Sequence, residues 1–265
     1  MRILILGDVV GRPGRRAIAD LVPGFARDEG IDLVVANAEN AAGGMGVDIK
    51  SAEDLFAGGV HVLTSGNHIW KKKEIYPYLE KNPNLIRPAN YPHGAPGRGW
   101  AEWENAKGHR VLVINLQGRV FMPHNVDDPF RCVEAILNER GGYSPVIIVD
   151  MHAEATSEKN AMVWFLDGKV SAVYGTHTHV QTSDERILPG GTAYITDLGL
   201  CGAMDSVIGI NKETVVQGFL TQLPQKFEVA KDNVVVQGIS LEVDESTGKA
   251  KGIRRLRIPW KGLDA

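Results

Sequence analysis

The first forty residues contain the pattern that decides the fold: residues 2–8 read RILILGD, and residues 33–40 read LVVANAEN. Each segment is a short apolar run, rich in β-branched or other aliphatic residues, that leads into polar residues. The stretch between them, Arg15 to Arg27, has the amphipathic character of a helix. This order of strand, helix and strand predicts α/β layering.

The same alternation continues through the first two-thirds of the chain. The predicted strands lie at Ile3 to Leu6, Leu33 to Ala36, Val60 to Leu63, Val111 to Leu116, Val146 to Val149 and Val170 to Tyr174. The other predicted helices lie at Ala52 to Ala57, Lys72 to Lys81, Phe130 to Arg140 and Glu158 to Leu166, the last with capping residues at Thr156 to Glu158. After Gly190 the predicted elements are strands: Tyr194 to Thr196, Val234 to Val243 and Ile253 to Ile258, with a hairpin turn at Ser246 to Gly248.

The composition is that of a globular protein with a large core and a nearly balanced charge. A chain of 265 residues with 43% hydrophobic residues can bury a large core, and we treat residues 1–265 as a single domain. Lys and Arg number 29 against 32 Asp and Glu, a net charge of -3, which argues against a sequence-blind nucleic-acid coat. Two cysteines, Cys132 and Cys201, suit free thiols in a reducing compartment. No apolar run approaches the roughly 20 residues of a membrane span, so we expect a cytoplasmic protein without a membrane partner.

Residues able to bind metal ions follow five of the predicted strands. They are Asp8, Glu39 with Asn40, Asn67 with His68, His152, and His177 with His179. Ligands collect at the carboxyl ends of strands in α/β sheets, so these side chains should converge. A single polar residue at a strand end is usually a turn former or a helix cap. Independent capping does not account for metal-binding types at five ends, however. The other histidines, His61, His93, His109 and His124, are predicted to be structural or on the surface.

The order of these motifs resembles that of the calcineurin-like metallophosphoesterases. That superfamily carries an early Asp, a second acidic motif, Gly-Asn-His, a lone His after a strand, and Gly-x-His-x-His. Here they read Gly7-Asp8, Glu39-Asn40, Gly66-Asn67-His68, His152, and Gly175 to His179. The segments GDVVG at 7–11, NAEN at 37–40, HAEATSEK at 152–159 and TD at 196–197 resemble the YmdB-like branch over nearly the whole chain. The resemblance implies a four-layer α/β/β/α sandwich of mixed β-sheets flanked by helices, in one domain.

Two positions depart from the wider superfamily pattern. The usual Asp-x-His is Asp8-Val9-Val10, so the expected imidazole is missing at Val10. The usual bridging Asp is Glu39, whose longer side chain must reach the same point between two metals. The branch pattern implies that the amide oxygen of Asn40 replaces the lost imidazole. An oxygen in place of a nitrogen hardens the site and favours manganese or iron, with zinc also compatible.

The resemblance implies two divalent transition metal ions per chain. One would bind Asp8, Glu39, Asn40 and His179, and the other Glu39, Asn67, His152 and His177. Two carboxylates leave such a site cationic and attractive to phosphate. Metals about 3.5 to 4 Å apart can share an attacking hydroxide and hold the phosphate oxygens. His68, beside a ligand but not predicted to be one, is the candidate general acid for the leaving alkoxide.

The function expected from this site is hydrolysis of phosphodiesters. The branch resemblance implies cyclic nucleotides, with 2′,3′-cyclic substrates as the first choice and 3′,5′-cyclic substrates as the second. RNA ends, phosphomonoesters and phosphoproteins remain open as substrates, and the oligomeric state is open, with a homo-oligomer among the options. The rival classes are an amidohydrolase barrel and a non-enzymatic metal or nucleotide sensor. The strand-rich last third disfavours a barrel, and a sensor has no use for a free acid at His68.

Overall fold

Two six-stranded mixed sheets form the centre of the molecule. The computed structural model describes residues 1–262. The first sheet has the order β12-β11-β10-β1-β2-β3. Its strands are β1 (Arg2–Val9), β2 (Leu33–Asn37), β3 (Val62–Thr64), β10 (Leu200–Ala203), β11 (Val234–Val243) and β12 (Ala250–Pro259). The second sheet has the order β4-β5-β6-β7-β9-β8. Its strands are β4 (Trp100–Glu104), β5 (Arg110–Gln117), β6 (Ile147–His152), β7 (Ala172–Thr176), β8 (Arg186–Ile187) and β9 (Ala193–Ile195).

The inner faces of the two sheets share one apolar core. Ile3 and Ile5 of β1 belong to the same buried cluster as Val113 of β5 and Ile148 of β6. Side chains alternate across a strand, so the neighbouring residues of β1, among them Leu4, point to the opposite face of the sheet. Strands that are buried on both faces account for the unbroken apolar runs in the sequence.

Helices cover both outer faces. The helices of the chain are α1 (Gly11–Glu29), α2 (Ile49–Ala57), α3 (Tyr76–Lys81), α4 (Pro129–Arg140), α5 (Thr156–Leu166) and α6 (Lys212–Thr221), of which α6 packs into none of the buried clusters among residues 1–262. Ile18 of α1 and Leu55 of α2 pack with Leu4 and Leu6 on the outside of the first sheet. Residues of α4 and α5 pack on the outside of the second sheet, in a cluster with Leu112 and Val149. The predicted four-layer α/β/β/α sandwich is confirmed.

Several predicted element bounds are wrong in detail. The helix predicted from Lys72 to Lys81 is a 3-10 turn at Lys73–Ile75 followed by the short α3. The strand predicted at 60–63 begins at Val62, and the strand predicted at 170–174 begins at Ala172. The residue that caps α5 is Ala155, with no side-chain hydrogen bond, so the predicted cap at 156–158 is wrong.

The last third of the chain is less strand-rich than predicted, because it contains α6. None of the residues of α6 is buried, and its Asn211 cap accepts the Thr214 N–H at 2.9 Å. The predicted strand at 234–243 and the turn at 246–248 are confirmed. Within residues 1–262, no helix combines the length and the apolar character that a membrane crossing requires.

Candidate metal centre

The predicted ligands of both sheets meet where the parallel strands end. Asp8 lies inside β1 rather than after it, and His152 is the last residue of β6. The other positions follow β2, β3 and β7, as predicted: Glu39, Asn40, Asn67, His68, His177 and His179. The structure therefore brings all seven predicted ligands and His68 into one cluster. His61 and His109 lie outside it, bonded to the Val34 N–H and paired with Glu245.

One part of the cluster, which we call the inner half, is centred on Nε2 of His152. That nitrogen lies 3.1 Å from Glu39 Oε2, 3.1 Å from Asn67 Oδ1 and 3.1 Å from His177 Nδ1. His152 and Glu39 are both fully buried. Glu39, His152 and His177 each offer one ligand atom, and these atoms lie within 4.8 Å of one another. The inner half is thus a compact group of potential metal ligands, two of which are fully buried.

The remaining ligands form the outer half, which consists of Asp8, Asn40, His179 and the second carboxylate oxygen of Glu39. His179 Nε2 lies 3.7 Å from Asp8 Oδ1 and 3.0 Å from Asn40 Nδ2. Asn40 Nδ2 also lies 3.3 Å from Glu39 Oε1. Glu39 therefore turns one oxygen toward His152 and the other toward Asn40, and its role as a bridging ligand stays a prediction.

The orientation of the Asn40 amide differs from the one that ligation requires. Its nitrogen faces His179 and Glu39, whereas its oxygen faces Nδ1 of His68 at 2.9 Å. A half-turn of the amide would exchange the two atoms and present the oxygen to Glu39 and His179. The predicted ligand role of Asn40 and the contact with His68 therefore compete for one oxygen atom.

His68 stands at the edge of the cluster, facing the cavity above it. Its backbone N–H donates to Glu39 Oε2 at 3.2 Å, and its Nδ1 is 3.5 Å from Glu39 Oε1. With Nδ1–H on the Asn40 oxygen, Nε2 is the ring nitrogen left for other partners. His68 also lines a cavity of about 610 Å³ together with His177 and His179. This placement is compatible with proton transfer to a bound molecule.

Buried charges shift several pKa values in opposite directions. Burial raises the pKa of Asp8 to about 7, against the opposing attraction of His179 and His152. Burial disfavours the charged form of His152, but the charge and hydrogen bond of Glu39 outweigh it and raise its pKa to about 9. The same pairing outweighs burial at Glu39 and holds the pKa of that carboxyl well below its usual range. Burial and the charge of His152 lower the pKa of His177 to about 3.

The donor set fits divalent cations. Asp8 Oδ1 is buried and has no hydrogen-bond partner among residues 1–262, which is costly for a carboxylate unless a cation satisfies it. The inner half crowds two imidazole nitrogens, an amide oxygen and a carboxylate oxygen together, and a proton on His152 is the positive charge available there. A metal ion can take the place of that proton, as metal binding to histidine requires.

A buried carboxylate behind the inner half fixes the orientation of His152. The Thr176 hydroxyl donates to Asp150 Oδ1 at 2.7 Å and lies 2.9 Å from His152 Nδ1. Because the hydroxyl hydrogen is used on Asp150, the hydroxyl accepts the Nδ1–H of His152. The lone pair of Nε2 then points to the inner half, as a metal ligand requires. Sequence reasoning missed both residues, although a charged residue within the apolar run VIIVDMH at 146–152 demands a partner.

A buried ion pair supports the loop that carries His177 and His179. Lys159 Nζ lies 2.9 Å from Asp197 Oδ2, which also accepts the Thr178 N–H and hydroxyl at 3.2 and 2.7 Å. Both histidines have positive φ, 96° and 64°, a conformation that side chains other than glycine adopt only when their surroundings impose it. Lys159 and Asp197 belong to the segments that carry the YmdB-like resemblance, and this contact gives them a structural role.

Two glycines of the motifs are required by close contacts. A Cβ on Gly66 would overlap Glu39 Oε2 and His152 Nε2, and a Cβ on Gly175 would overlap the Thr196 carbonyl oxygen. Larger residues at either position would displace the inner half or the strand beside it. A further contact carries no sequence signal: His179 Nδ1 donates to the Ile208 carbonyl at 2.8 Å, from a loop far along the chain.

The chain matches one family model and several known proteins over nearly its whole length. The family model described as YmdB-like protein matches residues 4–256. A 2′,3′-cyclic-nucleotide 2′-phosphodiesterase of Bacillus subtilis (strain 168) is 46% identical over 258 residues, covering 97% of each chain. A crystal structure of a hypothetical protein from Thermus thermophilus superposes with a TM-score of 0.91 at 42% identity, over 98% of this chain and 99% of that one. A crystal structure described as a novel phosphatase, from Mycoplasma pneumoniae, has a TM-score of 0.91 at 37% identity, over 98% and 93% of the two chains.

Proposed function

The chain belongs to the YmdB-like family, and from that premise we propose that it is a metal-dependent phosphodiesterase whose first substrates are 2′,3′-cyclic nucleotides. The observation that carries the proposal is the position of Glu39. One of its oxygens faces the inner half and the other the outer half, as a carboxylate shared by two metal ions requires. The similar protein of Bacillus subtilis, named as a 2′,3′-cyclic-nucleotide 2′-phosphodiesterase, supports the choice of substrate.

We assign the ligands by half. Glu39, Asn67, His152 and His177 would hold one ion, and Asp8, Glu39, Asn40 and His179 the other. When bound, two such ions supply Lewis-acid stabilisation of a phosphate and a nucleophile made from water. Nitrogen and oxygen donors without a thiolate favour iron or manganese and are compatible with zinc. Cys201 does not supply a thiolate ligand, because burial raises its pKa to about 12 and its thiol donates to the Gln237 carbonyl.

The protein groups around the ligands have separate tasks in this proposal. Thr176 and Asp150 hold His152 in one tautomer, and Asp197 holds the loop of His177 and His179. His68 lines the cavity and, in its doubly protonated form, would give the Nε2 proton to the departing ribose oxygen while Nδ1–H stays on the Asn40 oxygen. Proton donation of this kind contributes typically about 10²- to 10⁴-fold to turnover. Opening a 2′,3′-cyclic phosphate at its 2′ oxygen leaves a nucleoside 3′-phosphate.

The same proposal includes the organisation and location of the protein. Both sheets contribute ligands to one site and the family match spans residues 4–256, which supports a single metallophosphoesterase domain. Cys132 and Cys201 are free thiols, as suits the cytoplasm. RNA that ends in a 2′,3′-cyclic phosphate presents the same reacting group and is the second substrate class to test.

A substrate panel tests the proposed function. The metal-loaded protein is assayed with 2′,3′-cyclic AMP, 3′,5′-cyclic AMP, a nitrophenyl phosphodiester and nitrophenyl phosphate, and products are separated by chromatography. We expect 2′,3′-cyclic AMP to be the best nucleotide and 3′-AMP to be its product. Faster hydrolysis of the monoester than of every diester would replace the diesterase by a phosphatase. Binding of the cyclic nucleotide without turnover would favour a regulatory protein.

A further inference from the structure

The cavity above the metal centre has a mixed lining. It includes the metal-centre residues Glu39, His68 and His179, which we call the floor, the polar residues Glu154 and Thr178, and a set of apolar side chains, which we call the wall. The apolar lining consists of Val10, Met45, Ile208, Ile210 and Phe227. A cavity of about 610 Å³ is within the range of about 300 to 1,000 Å³ that small-molecule sites occupy. A phosphate on the floor would therefore place the rest of its molecule beside an apolar surface.

Three of the apolar residues are exposed although they are large. Phe227 is 56% exposed, Ile208 51% and Met45 43%. Single exposed apolar residues are ordinary on protein surfaces, but a group of them lining a cavity with polar groups at its base is typical of a binding site. The planar group of a nucleotide that needs such a surface is its base.

Backbone contacts hold the two segments of the wall together, and a hydrogen bond from His179 joins them to the metal centre. Ile210 pairs with Val229 in an isolated bridge, and the Ala230 N–H donates to the Gly209 carbonyl at 3.0 Å. These contacts hold the segment of Phe227 against the loop of Ile208. That loop has Ile208 at a φ of 48°, an uncommon conformation for a β-branched residue. Its carbonyl accepts the His179 Nδ1–H, so one loop orients a predicted ligand and also supplies part of the wall.

We infer that Ile208, Ile210 and Phe227 form a platform for the nucleobase, with the Phe227 ring stacked on it. This inference rests on the proposed function, and it adds the group that selects nucleotides over other phosphodiesters. The described side chains of the wall are hydrocarbon or thioether groups, so they cannot read the hydrogen-bonding edge of a base. Stacking on an aromatic ring tolerates every base. The platform therefore favours nucleotides as a class and discriminates little among the four bases.

The test separates the base from the phosphodiester. Wild type and Phe227→Ala are compared on 2′,3′-cyclic AMP, 2′,3′-cyclic CMP and ribose 2′,3′-cyclic phosphate, which has no base. We expect Phe227→Ala to raise KM for both nucleotides about tenfold, as loss of one stacking aromatic does, with kcat and the base-free ester unchanged. Phe227→Tyr keeps a ring and should restore KM. Phe219→Ala removes a phenylalanine that is 74% exposed on α6 and does not line the cavity, and it should behave as wild type.

The outcomes distinguish the platform from the proposed function. Equal effects of Phe227→Ala on nucleotides and on the base-free ester, or no effect on either, would overturn the platform and leave the diesterase intact. If wild type hydrolyses neither cyclic ester, the proposed function fails. The platform is then decided by calorimetric binding of 3′-AMP and ribose 3-phosphate to the manganese-loaded protein. Weaker binding of 3′-AMP alone to Phe227→Ala would support it, and unchanged binding would overturn it.

Discussion

The inner and outer halves of the metal centre use similar donors but are built differently. In the inner half, three potential ligand atoms lie 3.1 Å from His152 Nε2. The Thr176 hydroxyl and the Asp150 carboxylate fix the tautomer of His152. In the outer half, Asp8 Oδ1 has no hydrogen-bond partner in the described part of the chain, and the Asn40 amide nitrogen faces His179. Hydrogen bonds fix the orientation of His152 in the inner half, whereas the outer half depends on an amide rotation and on the loop of Ile208. We infer that the inner half is preorganised and that the outer half is completed by its ion.

Removal of Glu39 should have the largest effect, because it is common to both halves. Glu39→Ala takes the carboxylate away from the inner half, leaving neutral ligands there, and takes one of two carboxylates from the outer half. We expect both ions to be lost and turnover to fall below detection. Elemental analysis of the purified protein, together with the diester assay, measures the result against about two ions per chain in wild type.

The matched variant Glu39→Gln keeps the shape of the side chain and removes its charge. If both ions depend on the negative charge of Glu39, Glu39→Gln should lose metal nearly as completely as Glu39→Ala. Retention of one ion per chain in Glu39→Ala would instead show that Asn67, His152 and His177 suffice for the inner half. Full turnover by a metal-free variant would falsify the metal centre itself.

The two halves also differ in how far they could be predicted from the sequence. The ligands of both could be proposed, because metal-binding residue types follow five apolar runs and parallel strands bring their carboxyl ends together. The sequence contains a signal for the hydrogen bonds that orient them only in the inner half, and our prediction did not use it. Asp150 stands in an apolar run and signals a buried partner, whereas the contact of His179 with the Ile208 carbonyl depends on a loop whose path local sequence does not determine.

The same limit explains the errors in the fold. The β-branched run at 234–243 fixes a strand that the structure confirms, because most of its residues are buried between the neighbouring layers. The helix α6 was missed although Val216, Phe219 and Leu220 recur at helical spacing, and the structure leaves these apolar residues exposed rather than packed on a sheet. The nucleobase platform was missed for a related reason: Ile208, Ile210 and Phe227 form one surface only after the bridge between Ile210 and Val229 has formed.

His68 stands at the edge of the cluster in contact with Glu39 and Asn40, and its replacement should have the second-largest effect. If it is the general acid, His68→Ala should retain both ions and slow hydrolysis of 2′,3′-cyclic AMP by about 10²- to 10⁴-fold. The loss should shrink with a nitrophenyl diester, because nitrophenolate departs without a proton. Rates on both substrates and the metal content of the same preparation measure the prediction.

The contact of His68 with Asn40 supplies the competing explanation for such a loss. His68 Nδ1 lies 2.9 Å from the amide oxygen, so its removal could free Asn40 to rotate and alter the outer half. His68→Gln, which keeps a polar group near Asn40 but cannot act as an acid, separates the two effects. Equal slowing on both leaving groups, or a missing ion in either variant, would assign His68 to the outer half as a ligand or ligand support.

Thr176→Val should have the smallest effect, confined to the inner half. The substitution keeps the size of the side chain and removes the hydroxyl between His152 Nδ1 and Asp150 Oδ1. His152 then loses the partner that fixes its tautomer. Loss of such a support typically weakens metal affinity by about 10- to 100-fold. Chelator competition on the manganese-loaded protein should show one weakened site and one unchanged site, with turnover restored at high manganese.

Thr64→Val is the control that decides whether the effect comes through His152. The Thr64 hydroxyl also donates to Asp150, and Thr64 is as fully buried as Thr176, but the His152 nitrogen is bonded to Thr176. Either variant leaves Asp150 short of a donor, at a cost of about 1 to 3 kcal/mol in the free energy of unfolding. Only Thr176→Val should weaken the inner site. Equal weakening by both would mean that Asp150 acts through the fold in general, and weakening of the outer site would mean that the two halves are one coupled unit.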